Sequence, residues 1–373
     1  MLEQHQFFDN LEKQFKYKLP FVVYSRPIQS TIKSWLQEDD ALVLTNSFTE
    51  SGFVFAPFDL KSPSVLFQQS KCKFETTEIT HAFNFGDQES YETLVSNGKN
   101  KHMELVSKGL QHIKEGDFSK VVLSRVEHKE IKTINPITIF KKLVSTYKSA
   151  MVYCWYHPKI GLWFGATPEL LFKIEGRKLT AISLAGTQAV QNNKEPNWSS
   201  KELEEQQIVT DFLEEQLKPF STTISVSKAE SVQAGNLWHL KSRLTSYLDR
   251  DSSLKDIIDA LHPTPAVCGF PKENAKAFIL EHEGYNREFY TGFLGELNLK
   301  ITNYRNRNRH NVENNAYKSV QTSSNFYVNL RCMQIKDGKA FIYVGGGITR
   351  DSEPEDEYKE TQNKAKTIST ILG

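Results

Sequence analysis

The 373-residue chain has few cysteines, no long hydrophobic run and almost no net charge. Its four cysteines, Cys72, Cys154, Cys268 and Cys332, are widely spaced without a CxxC pair, which argues against a zinc site or a disulfide framework. No apolar run approaches the roughly 18 residues of a membrane helix, and the N-terminus lacks a signal-peptide pattern. A formal net charge of +1 provides no field for nucleic acid or an anionic membrane. These absences predict a cytoplasmic protein that binds neither nucleic acid nor membranes.

The composition is otherwise that of an ordinary globular protein, with 39% hydrophobic and 24% charged residues. Residues 119–125 have the β-branched content of a strand, and residues 170–183 have the pattern of a hairpin around a Glu-Gly-Arg-Lys turn. Helical patterns cover about 91–115, 136–146 and 200–217. Strands and helices alternate without the regular βαβ rhythm of a parallel sheet. The pattern therefore predicts an α+β fold, with long antiparallel sheets and helices packed outside.

We expect one domain over residues 1–373. Residues 1–100 form a more variable N-terminal part, and residues 101–373 carry the functional residues. The segment 300–324 is rich in asparagine and arginine and interrupts two strands, which predicts a long exposed hairpin or a disordered insertion.

Two helices, separated by 151 residues between Glu205 and Glu357, each place a pair of carboxylates beside an apolar face. In the first, Glu202 and Glu205 share the side of Ile208 and Val209; the second carries Glu357 and Glu360. Inward carboxylates are costly to desolvate unless a cation meets them. Four carboxylates with few soft ligands indicate a hard cation, and Mg²⁺ is typically held by a few carboxylates plus substrate oxygens and water. The alternative is a set of paired core carboxylates.

Two further residues are candidates for proton transfer. Lys120 lies within a predicted strand and points toward an apolar face, where burial lowers a lysine pKa and allows it to act as a general base. An edge lysine whose amine reaches solvent is the alternative. Glu169 follows Thr167-Pro168, so its carboxylate is presented from a rigid turn, although a solvated turn residue fits the same pattern.

Several residues are suited to holding a small polyanion. Arg331 shares a strand face with mixed polar neighbours and could bind a carboxylate through two parallel hydrogen bonds. The glycine run 345–347 could bring backbone amides close to an anion, and Lys364 adds a positive charge on the second acidic helix. His262 lies in a stiff Pro/Gly-rich block, where a lone histidine is more often structural than catalytic.

The chain resembles the chorismate-utilising enzymes over about residues 101–373. The resemblance depends on many short blocks in one order, and SGFVFAPF in the N-terminal part is also similar. The blocks are KVVLSR, GATPELL, SLAGT, KELEEQ, LWHL, HPTPAVCGFP, REFYTGFLGEL, VNLRC, GGGI and SEPEDEYKETQNK.

Within this family the pattern is similar to the branch that forms isochorismate. Members that use water as nucleophile have a lysine at the position of Lys120, and the block around His262 has the form typical of isochorismate synthases. The aminodeoxychorismate-forming branch has a lysine where this chain has Ala185. Salicylate synthases share the equivalents of Lys120 and Glu169 and are the nearest alternative.

The resemblance implies a role for each matching position. Lys120 would deprotonate the water that attacks C2 of chorismate, and Glu169 would protonate the departing C4 hydroxyl. Glu205 and Glu360 would bind Mg²⁺ directly, with Glu202 and Glu357 one layer further out. The residues implied in substrate binding are Gly186, His262, Tyr290, Arg331, Gly346, Gly347 and Lys364. Two residues depart from the family pattern: Gln206 where many relatives have histidine, and Gly346 where many have alanine.

The resemblance further implies two large antiparallel β-sheets packed face to face with helices outside. We expect a monomer whose partner is the small molecule chorismate. An RNA- or protein-binding module built on residues 303–311 and an amidotransferase-linked synthase are alternatives from other functional classes. The product's destination, whether menaquinone, a siderophore or salicylate, is not encoded in these motifs.

Overall fold

Helices surround two antiparallel sheets in the computed structural model, which describes residues 1–83, 85, 98–131, 134–190, 195–234, 237–303 and 319–372. The helices in these ranges are α1 (Gln4–Lys16), α2 (Lys99–Glu115), α3 (Pro136–Thr146), α4 (Ser200–Leu217), α5 (Leu254–Leu261), α6 (Lys272–His282) and α7 (Pro354–Ser369). The strands are β1 (Phe21–Ser25), β2 (Thr31–Gln37), β3 (Leu44–Thr45), β4 (Gly52–Ala56), β5 (Ser64–Gln68), β6 (Cys72–Glu78), β7 (Lys120–Glu130), β8 (Met151–His157), β9 (Gly161–Thr167), β10 (Leu170–Glu175), β11 (Lys178–Ala189), β12 (Ser221–Val226), β13 (Glu230–Ala234), β14 (Leu237–Leu248), β15 (Gly269–Phe270), β16 (Phe293–Asn303), β17 (Ser319–Val328), β18 (Cys332–Lys336) and β19 (Lys339–Ile348).

The strands pair into one nine-stranded and one ten-stranded sheet within the described ranges. The first has the order β15-β7-β19-β18-β9-β8-β1-β2-β6, and the second has the order β12-β14-β11-β10-β17-β16-β4-β5-β3, with β13 also on β14. Both sheets mix strands of residues 1–100 with strands of residues 101–373, for example β1 with β8 and β4 with β16. The N-terminal part therefore belongs to the same two sheets as the rest of the chain.

Aromatic side chains fill the space between the two sheets. Along β8, Tyr153 and Trp155 point into this inner core, whereas Val152 and Cys154 face the helices on the other side. From the second sheet, Phe55 stacks on Phe289 with ring centroids 4.3 Å apart. Because successive strand residues face opposite sides, a strand buried on both faces is hydrophobic at nearly every position.

Helices cover the outer faces of both sheets. α1, α3 and α7 pack on the first sheet, and α4 and α5 pack on the second. α2 and α6 pack against β7 through Val106, Phe278 and Leu123. The resulting order of layers is helices, sheet, sheet, helices, so the predicted α+β architecture of two large antiparallel sheets is confirmed.

Some predicted boundaries agree with the structure, and others differ from it. Helix α3 and helix α4 occupy the predicted residues, and the hairpin pairs Glu175 with Lys178. The helix expected from residue 91 begins at Lys99, after the N-cap Gly98, so its predicted start is wrong, whereas its end before Gly116 is confirmed. Residues 91–97 lie outside the described ranges. At the segment 300–324, β16 and β17 pair as far as Asn303 and Ser319, and residues 304–318 also lie outside the described ranges. No described helix has the length and apolarity needed to cross a membrane.

Candidate active site

Lys120 begins strand β7 in the interior of the molecule. Its backbone pairs with Phe270 of β15, and β19 follows on the other side of β7. The residue is only 5% exposed. Its side chain crosses Gly347, where an added Cβ would lie 3.1 Å from the lysine Cε. The alternative of a solvent-reaching edge lysine is therefore wrong.

The charge of Lys120 responds to both acidic helices. Burial lowers the pKa of its amine, because desolvation disfavours the charged form. Glu205 raises this pKa, Lys364 lowers it further, and Glu169 and Glu360 raise it again. The structure thus brings five of the predicted site residues into one electrostatic cluster, which we call the Lys120 cluster: Lys120, Glu169, Glu205, Glu360 and Lys364.

Glu169 enters the cluster from the turn between β9 and β10. Its amide donates to Thr167 Oγ1 at 3.3 Å, and its carbonyl accepts from the amide of Val328 at 3.0 Å. Burial raises the pKa of the carboxyl to about 7, although Lys120, Lys364 and Arg331 each lower it. A carboxyl with this pKa is partly protonated near neutral pH and can therefore donate a proton.

Arg331 lies in the turn between β17 and β18, so the prediction that it shares a strand face is wrong. Its backbone has a φ of 46°, in the left-handed region that non-glycine residues seldom adopt, and its carbonyl accepts from the amide of Ala166 at 3.1 Å. Burial lowers the pKa of the guanidinium, and Tyr147 and Glu169 raise it. The strained turn thus presents a cation next to Glu169.

Helix α7 contributes a carboxylate and an ammonium held together. Lys364 Nζ lies 2.7 Å from Glu360 Oε1 and donates to the carbonyl of Gly345 at 3.0 Å. Glu357, one turn earlier, is buried, and an added Cβ at Gly346 would lie 3.1 Å from its Oε2. The glycine run therefore allows β19 to pass close to functional side chains; amide contacts with an anion stay a prediction.

The two carboxylates of helix α4 that were predicted to act at the metal, Glu202 and Glu205, have different surroundings. Glu202 completes a capping box with Ser199, and Gln188 Nε2 donates to both of its oxygens, at 2.9 and 3.1 Å. Glu205, one turn further, exerts the largest charge effect on Lys120. The neighbouring Gln206 donates to Ser242 Oγ at 2.8 Å and belongs to the buried interface with the sheet.

The chemistry of Glu205 and Glu360 fits a hard cation such as Mg²⁺. Glu205 and Glu360 come from different helices, and both act on the Lys120 amine. Mg²⁺ is usually bound by one or two carboxylates plus substrate oxygens and water. Among the described residues, three potential metal-ligand atoms lie within 4.8 Å of one another outside the Lys120 cluster, on His112, Glu115 and Asp117.

His239 is a member of the site that the sequence did not reveal. It lies on β14 within Leu237-Trp238-His239-Leu240, and its Nδ1 is 3.1 Å from the carbonyl of Gly186. Burial lowers the pKa of His239, the bond to Gly186 raises it, and Arg331 and Lys364 lower it. Gly186 itself has a φ of +71° and lies against Trp198 and Glu202. The sequence feature that contains His239 is the LWHL block, one of the blocks on which the family resemblance depends.

The histidine chosen from the sequence, His262, lies elsewhere. Its Nε2 is 3.1 Å from the carbonyl of Phe58, its ring meets Phe293 edge-on, and burial lowers its pKa to about 3. The charges acting on it are those of Lys276 and Lys272. Its surroundings are therefore those of a core histidine, and the expectation that it lines the ring pocket stays a prediction.

Tyr290 packs behind the glycine run. Its ring stacks on Tyr343 with centroids 5.4 Å apart, and its hydroxyl would lie 2.9 Å from a Cβ at Gly345. It therefore supports the strand whose carbonyl holds Lys364, and a direct contact with substrate stays a prediction.

Comparison with known proteins gives matches over most of the chain. Profiles of the chorismate binding enzyme family match residues 60–302 and 316–370. Isochorismate synthase MenF of Pasteurella multocida is 30% identical over 284 residues, covering 72% of this chain and 60% of that protein. The salicylate biosynthesis isochorismate synthase of Pseudomonas aeruginosa is 27% identical, covering 72% of this chain and 53% of its own length. This chain thus spans between half and two thirds of each of these two relatives.

A solved structure shares the fold over nearly the whole chain. It is the putative 2,3-dihydroxybenzoate-specific isochorismate synthase DhbC from Bacillus anthracis, with a TM-score of 0.76 and 24% identity. The match covers 98% of this chain and 99% of that structure. The two-sheet architecture is therefore one that known proteins also adopt.

Proposed function

Because this chain belongs to the chorismate binding enzyme family, we propose that it is an isochorismate synthase, an isomerase that adds water at C2 of chorismate and releases the C4 hydroxyl. The observation that carries the proposal is the convergence of Lys120 and Glu169 in one cluster. Burial lowers the pKa of the lysine and raises that of the carboxyl to about 7. The two groups are thereby suited to act as base and acid at neutral pH.

The proposed reaction uses each group for one proton. Neutral Lys120 takes a proton from a water molecule as the water oxygen bonds to C2 of chorismate. At the same time the ring double bond shifts and the C4–O bond breaks. Protonated Glu169 gives its proton to the departing hydroxyl, which leaves as water. One water enters and one leaves, so the reaction is an isomerisation.

Chorismate carries two carboxylates, and the site offers cations for both. Arg331 can donate two parallel hydrogen bonds to one carboxylate, and Lys364 adds a second positive charge. Glu205 and Glu360 would hold Mg²⁺, with Glu202 and Glu357 one layer further out. A bound Mg²⁺ would supply positive charge to a substrate carboxylate. We further propose that the protein acts in the cytoplasm as a monomer.

Product analysis tests the proposal. Purified protein is incubated with chorismate and Mg²⁺, and the products are separated by chromatography. Isochorismate is the expected product, and excess chelator should abolish its formation until Mg²⁺ is restored. Salicylate as the main product would support the salicylate synthase alternative instead. Full activity in excess chelator would refute the metal assignment.

A further inference from the structure

Beside Lys120, a buried ion pair takes the place of a missing strand. Strand β15 has only two residues and pairs with Lys120 and Val121. The amide of Val122 still donates to the carbonyl of Cys268 at 2.8 Å, and beyond this bond the edge of β7 has run past β15. Buried backbone groups without hydrogen bonds are costly, so the edge requires other partners.

Glu283 and Arg287 supply these partners. Arg287 Nη2 donates to the carbonyl of Val122 at 2.7 Å, and the amide of Ser124 donates to Glu283 Oε1 at 2.8 Å. The Ser124 hydroxyl donates to the same carboxylate oxygen at 2.7 Å. Two backbone groups of β7 that a neighbouring strand would have satisfied are therefore bound by side chains.

The ion pair also fixes the segment on the other side of β15. Arg287 Nη1 donates to the carbonyl of Val267 and to Thr291 Oγ1, both at 3.1 Å. Its Nε and Nη2 donate to the two oxygens of Glu283, at 2.7 and 2.5 Å. All of the guanidinium N–H donors are engaged, and both residues are less than 5% exposed. The pair thus joins β7 to the chain that leads into β15.

We infer that Glu283 and Arg287 are positioning residues, which hold the first residues of strand β7 so that the Lys120 amine stays at its reacting position. The inference rests on the proposed function of Lys120. A displacement of about 1 Å at a catalytic group can lower a rate roughly a hundredfold. Neither residue touches the Lys120 cluster in the contacts described, so the effect acts through the backbone of Val122 and Ser124.

The variant Arg287→Lys tests this inference. Lysine keeps the charge opposite Glu283 but cannot donate to Val122, Val267 and Glu283 at once. We expect kcat to fall about tenfold while KM for chorismate changes less than about twofold. Amide hydrogen exchange of residues 120–124 should accelerate more than that of the remaining sheet. This second readout does not depend on activity.

Arg26→Lys is the matched control, because Arg26, which follows β1, pairs with the buried Glu296 of β16. It should lower the melting temperature without changing kcat. Unchanged kcat and exchange in Arg287→Lys, or an equal loss of kcat in the control, would overturn the inference. If Arg287→Lys does not fold, Ser124→Ala decides by the same measurements with a smaller expected effect, because it removes the hydroxyl bonds to Glu283 and Tyr285 but leaves the amide bond to Glu283. Normal turnover in Lys120→Ala would instead contradict the proposed function. The hydrogen-exchange result would still test whether Glu283 and Arg287 hold β7.

Discussion

At the scale of single residues, Lys120 and Glu169 depart from their solution chemistry in opposite directions. Burial disfavours the charged form of each, so the lysine pKa falls and the carboxyl pKa rises to about 7. Each also lies near groups of opposite charge that limit its shift. Burial thus favours a neutral amine and a protonated carboxyl together in the Lys120 cluster, which is the state that the proposed reaction requires.

Arg331 allows a prediction about substrate affinity. Arg331→Lys keeps the charge but removes the planar pair of donors, so KM for chorismate should rise about 10- to 100-fold, the loss of one charge-assisted hydrogen bond, while kcat changes little. Steady-state kinetics measure both constants. Arg350→Lys at an exposed arginine is the control and should change neither. A large fall in kcat with normal KM would show that Arg331 acts in the transition state alone.

At the scale of secondary-structure elements, the glycine run 345–347 near the end of β19 matters because it has no side chains. Gly347→Ala would place a methyl group about 3.1 Å from Lys120 Cε, which forces the lysine aside. We expect kcat to fall at least about tenfold with intact folding. Gly98→Ala, where nothing lies within 4 Å of the added methyl, is the control and should leave kcat unchanged. Normal kcat in Gly347→Ala would mean that the lysine position is not critical.

Elements with a strong period were predictable from the sequence, and the contacts between distant elements were not. Helix α4 and the β10–β11 hairpin follow local patterns of 3.6 and 2 residues. Which histidine reaches the site depends on β14 lying beside β11, so His239 was missed and His262 chosen. The capping role of Glu202 could have been found, because Ser199 precedes it by three residues.

At the scale of the whole molecule, the site reduces stability above neutral pH. Because the folded state raises the pKa of Glu169 from its ordinary value of 4.5 to about 7, folding binds a proton between these values. This contribution to stability is complete below about pH 4.5 and is lost as the pH rises through 7. Glu169→Gln, which cannot ionise, should therefore raise the melting temperature relative to wild type more at pH 8 than at pH 5. An equal difference at both values would contradict a raised carboxyl pKa.

The same two-sheet architecture explains why the site can be assembled from distant parts of the chain. Lys120 comes from β7, Glu169 from the turn before β10, Glu205 from α4 and Lys364 from α7. The helices lie on the outer faces of different sheets, so the Lys120 cluster forms only when both sheets are in place. Catalytic residues on a rigid scaffold of this kind keep their geometry without substrate.

The measurement that tests the central claim most directly is the turnover of chorismate by Lys120→Ala. A general base typically contributes about 10²- to 10⁴-fold, so turnover should fall by this factor while chorismate affinity, measured by calorimetry, stays within about threefold. Wild-type activity should also decline at low pH as the lysine becomes protonated. Lys129→Ala, at another buried lysine of β7, should retain activity. Near-normal turnover in Lys120→Ala, or a raised KM with unchanged kcat, would contradict the assignment of Lys120 as the base.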